Sequence, residues 1–92
     1  MLVVKISAKR LTATPAAAAA FNRTGDSVVP FLHRHTHGDW GEVDPQDHAT
    51  NDQATVLGGR VLSAYSLSDG TKIWIITEAD RSVTTILLPE EY

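Results

Sequence analysis

Arg34-His35-Thr36-His37-Gly38-Asp39-Trp40-Gly41 sets two imidazoles, a guanidinium, a carboxylate and an indole side by side, with a glycine on either flank of the Asp-Trp pair. An imidazole moves protons near neutral pH, a carboxylate can orient its ring, and a guanidinium can hold an oxyanion. On that chemistry His35 is the candidate proton carrier and Asp39 its orienting acid. Arg81, with Ser82, Thr84 or Thr85, would hold a phosphate. Such a set could cleave RNA without a metal, and small ribonuclease toxins that pair helices with an antiparallel sheet share this layout by analogy of fold alone. The plain alternative is a half-buried His35 satisfied by a backbone carbonyl, with Thr84 and Thr85 present for their β-propensity.

Other chemistries find less. His33, His35, His37 and His48, with Asp39 and Asp44, are ligand types that suit zinc or nickel, but no His-Glu-x-x-His pattern positions a base, so neither a metal nor a cofactor is expected. The chain has no cysteine, no Gly-x-Ser-x-Gly elbow and no Walker loop. Gly38 and Gly41 allow positive φ at both ends of a turn, so Trp40 can fold back on the core while Asp39 caps local amides. An exposed Trp40 would instead anchor a partner.

These residues need elements to position them. Thr14 is an N-cap before Pro15 and a run of five alanines, and Gly25 can close that helix. Pro30 opens a second helix to about His37, with Gly38 after its end; Phe31 and Leu32 then put His35 at the border of the apolar face, and His33, Arg34 and His37 lean outward. Asp44-Pro45-Gln46-Asp47 starts a third helix, which reaches Leu57 before Gly58-Gly59; Ala49, Val56 and Leu57 form its narrow apolar stripe. Leu2 to Ile6 suits a short strand. From Arg60 the pattern turns to strands: Arg60 to Leu67, Thr71 to Thr77 and Ser82 to Leu88, the first two joined at Ser68-Asp69-Gly70. Ile73-Trp74-Ile75-Ile76 is apolar on both faces, as in a central strand.

With 92 residues the chain fits one small domain, and eleven of its hydrophobic residues are alanine, so its core is thin and it is a candidate for homodimerisation. A net charge of −3 argues against sequence-independent attraction to DNA. Asp39, Glu42, Asp44, Asp47 and Asp52 fall where no Lys or Arg lies between Arg34 and Arg60, a middle third that either solvates or meets a basic partner. The first residues are too short and too interrupted for a signal peptide, and no run is long enough for a membrane span, which makes the cytoplasm the expected location.

Arg34-His35-x-x-Gly38-Asp39-Trp40-Gly41, Leu62-Ser63-Ala64-Tyr65, Trp74 to Ser82 and Thr84 to Tyr92 together resemble a family of small bacterial proteins encoded on plasmids, prophages and other mobile elements. Its members are labelled plasmid-related proteins or subunit M of a type I restriction endonuclease, and the family has no established function. The resemblance covers most of the chain beyond Pro15 and is most specific in the C-terminal third. It implies a role in host takeover, maintenance or defence evasion, and it leaves out His33 and His37. The restriction label does not fit, because a methyltransferase needs a doubly wound sheet and an Asn-Pro-Pro-Tyr-like motif.

The expected molecule is therefore an α+β domain with N-terminal helices packed on a C-terminal three- to four-stranded antiparallel β-meander. His35, Asp39, Trp40, Arg81 and Thr85 form its candidate site, and Arg34, Asp44, Asp47, Asn51, Ser82 and Thr84 are further binding candidates. The expected activity is binding of a host or defence-system protein, with RNA cleavage through His35 as the alternative.

Overall fold

The computed structural model describes residues 6–92. The elements run β1 (Arg10–Ala13), α1 (Pro15–Thr24), α2 (Val29–Thr36), α3 (Pro45–Leu57), β2 (Val61–Ser66), β3 (Lys72–Thr77), β4 (Val83–Leu87) and a closing 3-10 turn, Pro89–Glu91. The strands form one sheet in the order β1-β4-β3-β2. The fold is α+β, and β2-β3-β4 is the antiparallel meander that the strand pattern predicts. Two parts of the expectation are corrected. The sheet is mixed, because β1 pairs with β4 in parallel, and a strand precedes the helices. β1 carries one large apolar residue, Leu11, because an edge strand need not be apolar on either face, and that leaves no hydrophobic pattern to read. Of the strand expected at Leu2 to Ile6, residues 2–5 lie outside the described residues; the Ile6 N–H donates to the Thr36 carbonyl at 2.6 Å.

The helix ends follow local chemistry. Thr14, in extended conformation, accepts from the Ala17 N–H, Pro15 fills the first turn, and Gly25 closes α1 at φ 76°. α2 begins at Val29, one residue before Pro30, and has no side-chain cap. Asp44 accepts from the Asp47 N–H at 2.8 Å and starts α3. Asp44→Ala is expected to cost about 1 kcal/mol, read as a lowered urea midpoint with an unchanged slope.

The stripe expected along α3 is also corrected. Asn51 and Ala54 are buried, whereas Val56 and Leu57 are 72% and 76% exposed and Ala49 is exposed. The reason lies in β2. The Asn51 carboxamide donates to the Leu62 carbonyl at 2.8 Å and accepts from the Leu62 N–H at 3.1 Å, so α3 turns this polar residue toward the strand edge.

Side chains alternate cleanly across the sheet. Val61, Ser63, Tyr65, Ile73, Ile75, Thr77, Thr84 and Ile86 are all buried and face the helices. Ala17 and Ala20 bring α1 close to Tyr65, Ile73, Ile75 and Ile86, with Phe21, Phe31 and Leu32 filling in around them. Trp40, Ala54, Val61 and Ile6 make a second cluster. The helices thus cover one face. Leu62, Ala64, Trp74, Val83 and Thr85 lie half-buried on the other, with Ile76 and Leu87 buried among them, and there the Tyr92 ring meets Trp74 edge-on.

The two sheet edges differ. On β2, Asn51 takes both backbone groups of Leu62, the Ala64 N–H donates to the Trp40 carbonyl at 3.0 Å, and the Glu42 N–H donates to the Ala64 carbonyl at 2.7 Å. On β1, the Thr14 N–H donates to the Ile86 carbonyl, which turns the alternate groups, those of Leu11 and Ala13, away from the sheet. Among the described residues no helix is long and apolar enough to cross a membrane.

Candidate functional site

His35 sits on the last turn of α2, one turn after Phe31, and that spacing carries it into the core. It is fully buried rather than half-buried. Its Nδ1 lies 2.5 Å from Ser63 Oγ and its Nε2 lies 2.8 Å from Thr77 Oγ1, which in turn lies 2.7 Å from Thr84 Oγ1. One imidazole therefore ties α2 to three neighbouring strands. No buried side-chain polar atom is left without a partner among the described residues, as close packing of polar groups requires. Burial first, and the positive charge of Arg81 second, push the imidazole down from its ordinary value to about 4. At neutral pH the ring is uncharged and both nitrogens are occupied.

Asp39 does not orient that ring. Its carboxylate accepts from Arg34 Nε at 2.7 Å and Nη2 at 3.3 Å, and from the Gly41 N–H at 3.2 Å. The hydrogen bond from Arg34, chiefly, holds Asp39 below the usual carboxylate range. The Asp39 carbonyl accepts from the Tyr65 hydroxyl at 2.6 Å, and the Arg34 guanidinium lies over the Tyr65 ring, 4.6 Å from its centroid. The cluster Arg34-Asp39-Tyr65 thus pins the glycine-bracketed turn to β2. Trp40, which that turn delivers, is 1% exposed; its indole N–H donates to Asp52 at 2.9 Å and its ring meets His35 edge-on. Trp40 is a core residue and not an exposed anchor.

Arg81 occupies the β3-β4 turn at φ 60°. Its guanidinium donates to the carbonyls of Gly59 at 2.6 Å, Glu78 at 3.1 Å and Ala54 at 3.2 Å, closing the C-terminal end of α3. Ser82 donates its N–H to Asp80 in the same turn. Thr84 faces His35's side of the sheet, whereas Thr85 faces the opposite side and accepts from Thr12 at 3.3 Å. His35, Asp39, Arg81 and Thr85 therefore do not line one cleft: the acid, the guanidinium and the hydroxyl each have a different structural partner. His33 and His37 stack at 4.1 Å on the exposed side of α2. Among the described residues no three His, Cys, Asp or Glu side chains gather as a metal site would need.

No family model, curated protein or solved structure matches this chain. Function must then be argued from its own surfaces. The most distinctive of these is the sheet face that the helices leave uncovered. Tyr92, 61% exposed, stands edge-on to Trp74 with centroids 5.4 Å apart, and the Arg60 guanidinium lies 5.2 Å from the Tyr92 ring centroid and donates to its hydroxyl. Arg60 also borders a shallow groove with Asp47, Thr50, Asn51 and Leu62. Of the binding candidates named from the sequence, Asp47 lines this groove; Asn51 lies at its floor with its carboxamide taken by Leu62, and Asp44 is spent as a helix cap.

Neither group was readable in full beforehand. Ser63 and Thr77 carried a signal, since each is a polar residue at the buried parity of an apolar strand and so must find a partner. The Trp74-Tyr92-Arg60 stack carried none, because it joins residues from three separate segments.

Proposed function

We propose that this chain is a small interaction protein of mobile-element origin that binds a host or defence-system protein through its uncovered sheet face, in the cytoplasm and without a cofactor. One observation carries the reading: Trp74, Tyr92 and Arg60, the residue types that dominate interface energetics, stack together on a partly apolar face. The groove beside Arg60 adds the acidic side chain of Asp47, at the rim where a polar contact sets orientation. The resemblance to plasmid- and prophage-encoded proteins supplies the class of partner. RNA cleavage has no comparable support, because His35 is enclosed and its expected helpers are engaged elsewhere.

The test is capture on the tagged full chain in the host of origin, beside an RNA-cleavage assay. Wild type is expected to retain one protein in stoichiometric amount, and Arg60→Ala with Tyr92→Ala to weaken that retention by about thirtyfold or more, as hot-spot losses do. Both residues are exposed, so the variant keeps its fold. Undiminished retention by the double variant would move the interface elsewhere. RNA cleavage lost in His35→Gln would replace binding by catalysis.

A further inference from the structure

The uncovered edge of β1 has both the chemistry and the shape of half an interface. Leu11 and Ala13 direct their N–H and C=O groups outward, and Leu11 is 53% exposed. Both side chains point to the helix-covered face, since they pair with Thr84 and Ile86, and there they border an apolar groove with Ala18, Phe21 and Val28. Among the described residues nothing bonds to this edge, and it has none of the caps that protect β2. A strand laid along it would gain main-chain hydrogen bonds and a pocket for one apolar side chain.

We infer that the occupant is β1 of a second copy, antiparallel across a two-fold axis, forming one eight-stranded sheet. The register is restricted. Outward groups must face outward groups, and the Lys9 N–H is already given to the Arg81 carbonyl, while Pro15 has no N–H to give. That leaves Leu11 opposite Ala13 of the partner copy, twice by symmetry, with Thr12 opposite its own copy. Each large side chain then lies over the hollow beside Ala13 and Ala18 of the other copy, so the contact is self-complementary. Charge supports the same register. It places Arg10, exposed and without an ion pair among the described residues, opposite Thr14 of the other copy. Thr14 Oγ1 donates to the Glu91 carboxylate at 2.7 Å, so a cation approaches an anion at both ends of the seam. The two-fold also sets the uncovered faces of both copies on one side, as a continuous platform. This inference rests on the fold alone and stands or falls independently of the proposed function.

Sedimentation of the purified full chain over a concentration series, with amide exchange recorded at each end of it, tests the pairing without any partner present. The mass is expected to rise from 10.0 kDa toward twice that value, with the Leu11 and Ala13 amides protected only in the dimer. Leu11→Lys, which puts a charge into the apolar contact, and, separately, Arg10→Glu, which sets an anion beside Glu91 of the other copy, are each expected to weaken association by about tenfold or more while the chain stays folded. A chain that remains monomeric throughout would overturn the inference. So would a dimer in which those two amides exchange freely or which both variants leave intact. Protection of the same amides at every concentration would assign the edge to the chain's own residues, and would also overturn it.

Discussion

Gly41→Ala is expected to remove most of the stability of this protein. Gly41 sits at φ 76°, and a Cβ there would lie 2.1 Å from the Ala64 carbonyl oxygen and 2.6 and 2.7 Å from two carbons of the Tyr65 ring. Neither neighbour can yield, since Ala64 is backbone in a sheet and Tyr65 is fully buried. The clash is relieved only by lifting residues 40–42 from β2. That breaks the two backbone bonds at Ala64 and unseats Trp40 from its cluster and from Asp52. Left-handed alanine costs about 1–2 kcal/mol, two hydrogen bonds about 1 kcal/mol each, and partial loss of a buried indole a few kcal/mol more. The total, about 5 kcal/mol, is comparable with the whole stability of a small domain. Gly70→Ala is the control: at φ 89° it bears a similar backbone penalty, but nothing lies within 4 Å of its Cβ. Urea unfolding of the two variants decides the matter. Equal midpoints would mean that the tryptophan turn is not seated on β2.

Acidification is expected to act through His35 above all. Its ordinary value is 6.5 and the folded protein lowers it to about 4. Between those values the unfolded chain binds a proton that the folded chain refuses, so the contribution of His35 to stability is complete above about pH 6.5, falls as the pH drops, and levels off below about 4, where carboxylates held low, such as Asp39 and Glu42, lose theirs in turn. The shift corresponds to about 3 kcal/mol over the window. His35→Ala is expected to abolish this component and to lose about 3–4 kcal/mol at pH 7.5, because it opens a cavity, strands the Ser63 hydroxyl and leaves Thr77 with Thr84 as its one partner. Adding Ser63→Ala removes the stranded group and recovers part of the loss, whereas Thr77 is kept because its hydroxyl also holds that of buried Thr84. Urea midpoints at pH 7.5 and 4.5 and an NMR titration of the imidazole check each point; an imidazole titrating near 6.5 in the folded protein would refute the account.

Much of this fold was legible where local chemistry decides it. Thr14-Pro15 and Gly25 bracket α1, Asp44-Pro45 and Gly58 bracket α3, and strand alternation with the Asp69-Gly70 turn yields the meander. What escaped is what only assembly creates. β1 is held by Thr14 and by pairing with a strand some seventy residues later in the chain, so its own four residues need carry no apolar pattern. The candidate site shows the same division. The density of polar groups around His35 was real, and its role as a border residue of α2 led inward, as the spacing predicts. Yet the partners that settle its chemistry, Ser63 and Thr77, lie 28 and 42 residues away, and the turn that draws the eye with Asp39 and Trp40 is occupied in seating itself. Arg81 reads as an anion holder in the sequence because nothing local shows that the carbonyls of Ala54 and Gly59 end beside it.

The asymmetry of the two sheet margins has one more consequence. A sheet with both margins bare could accept neighbours without limit and grow into a fibre, whereas here Asn51 and the backbone of residues 40–42 have sealed one side permanently. Among the described residues the β1 margin is bare; on the self-pairing inferred above, growth would stop after one addition, and part of the sealing of the other margin is written into the same turn that holds the tryptophan. A lesion there would therefore do more than loosen the core: it would bare the Ala64 groups, leave Asn51 as the remaining guard of that margin, and on the inferred pairing give the assembly a second place to grow.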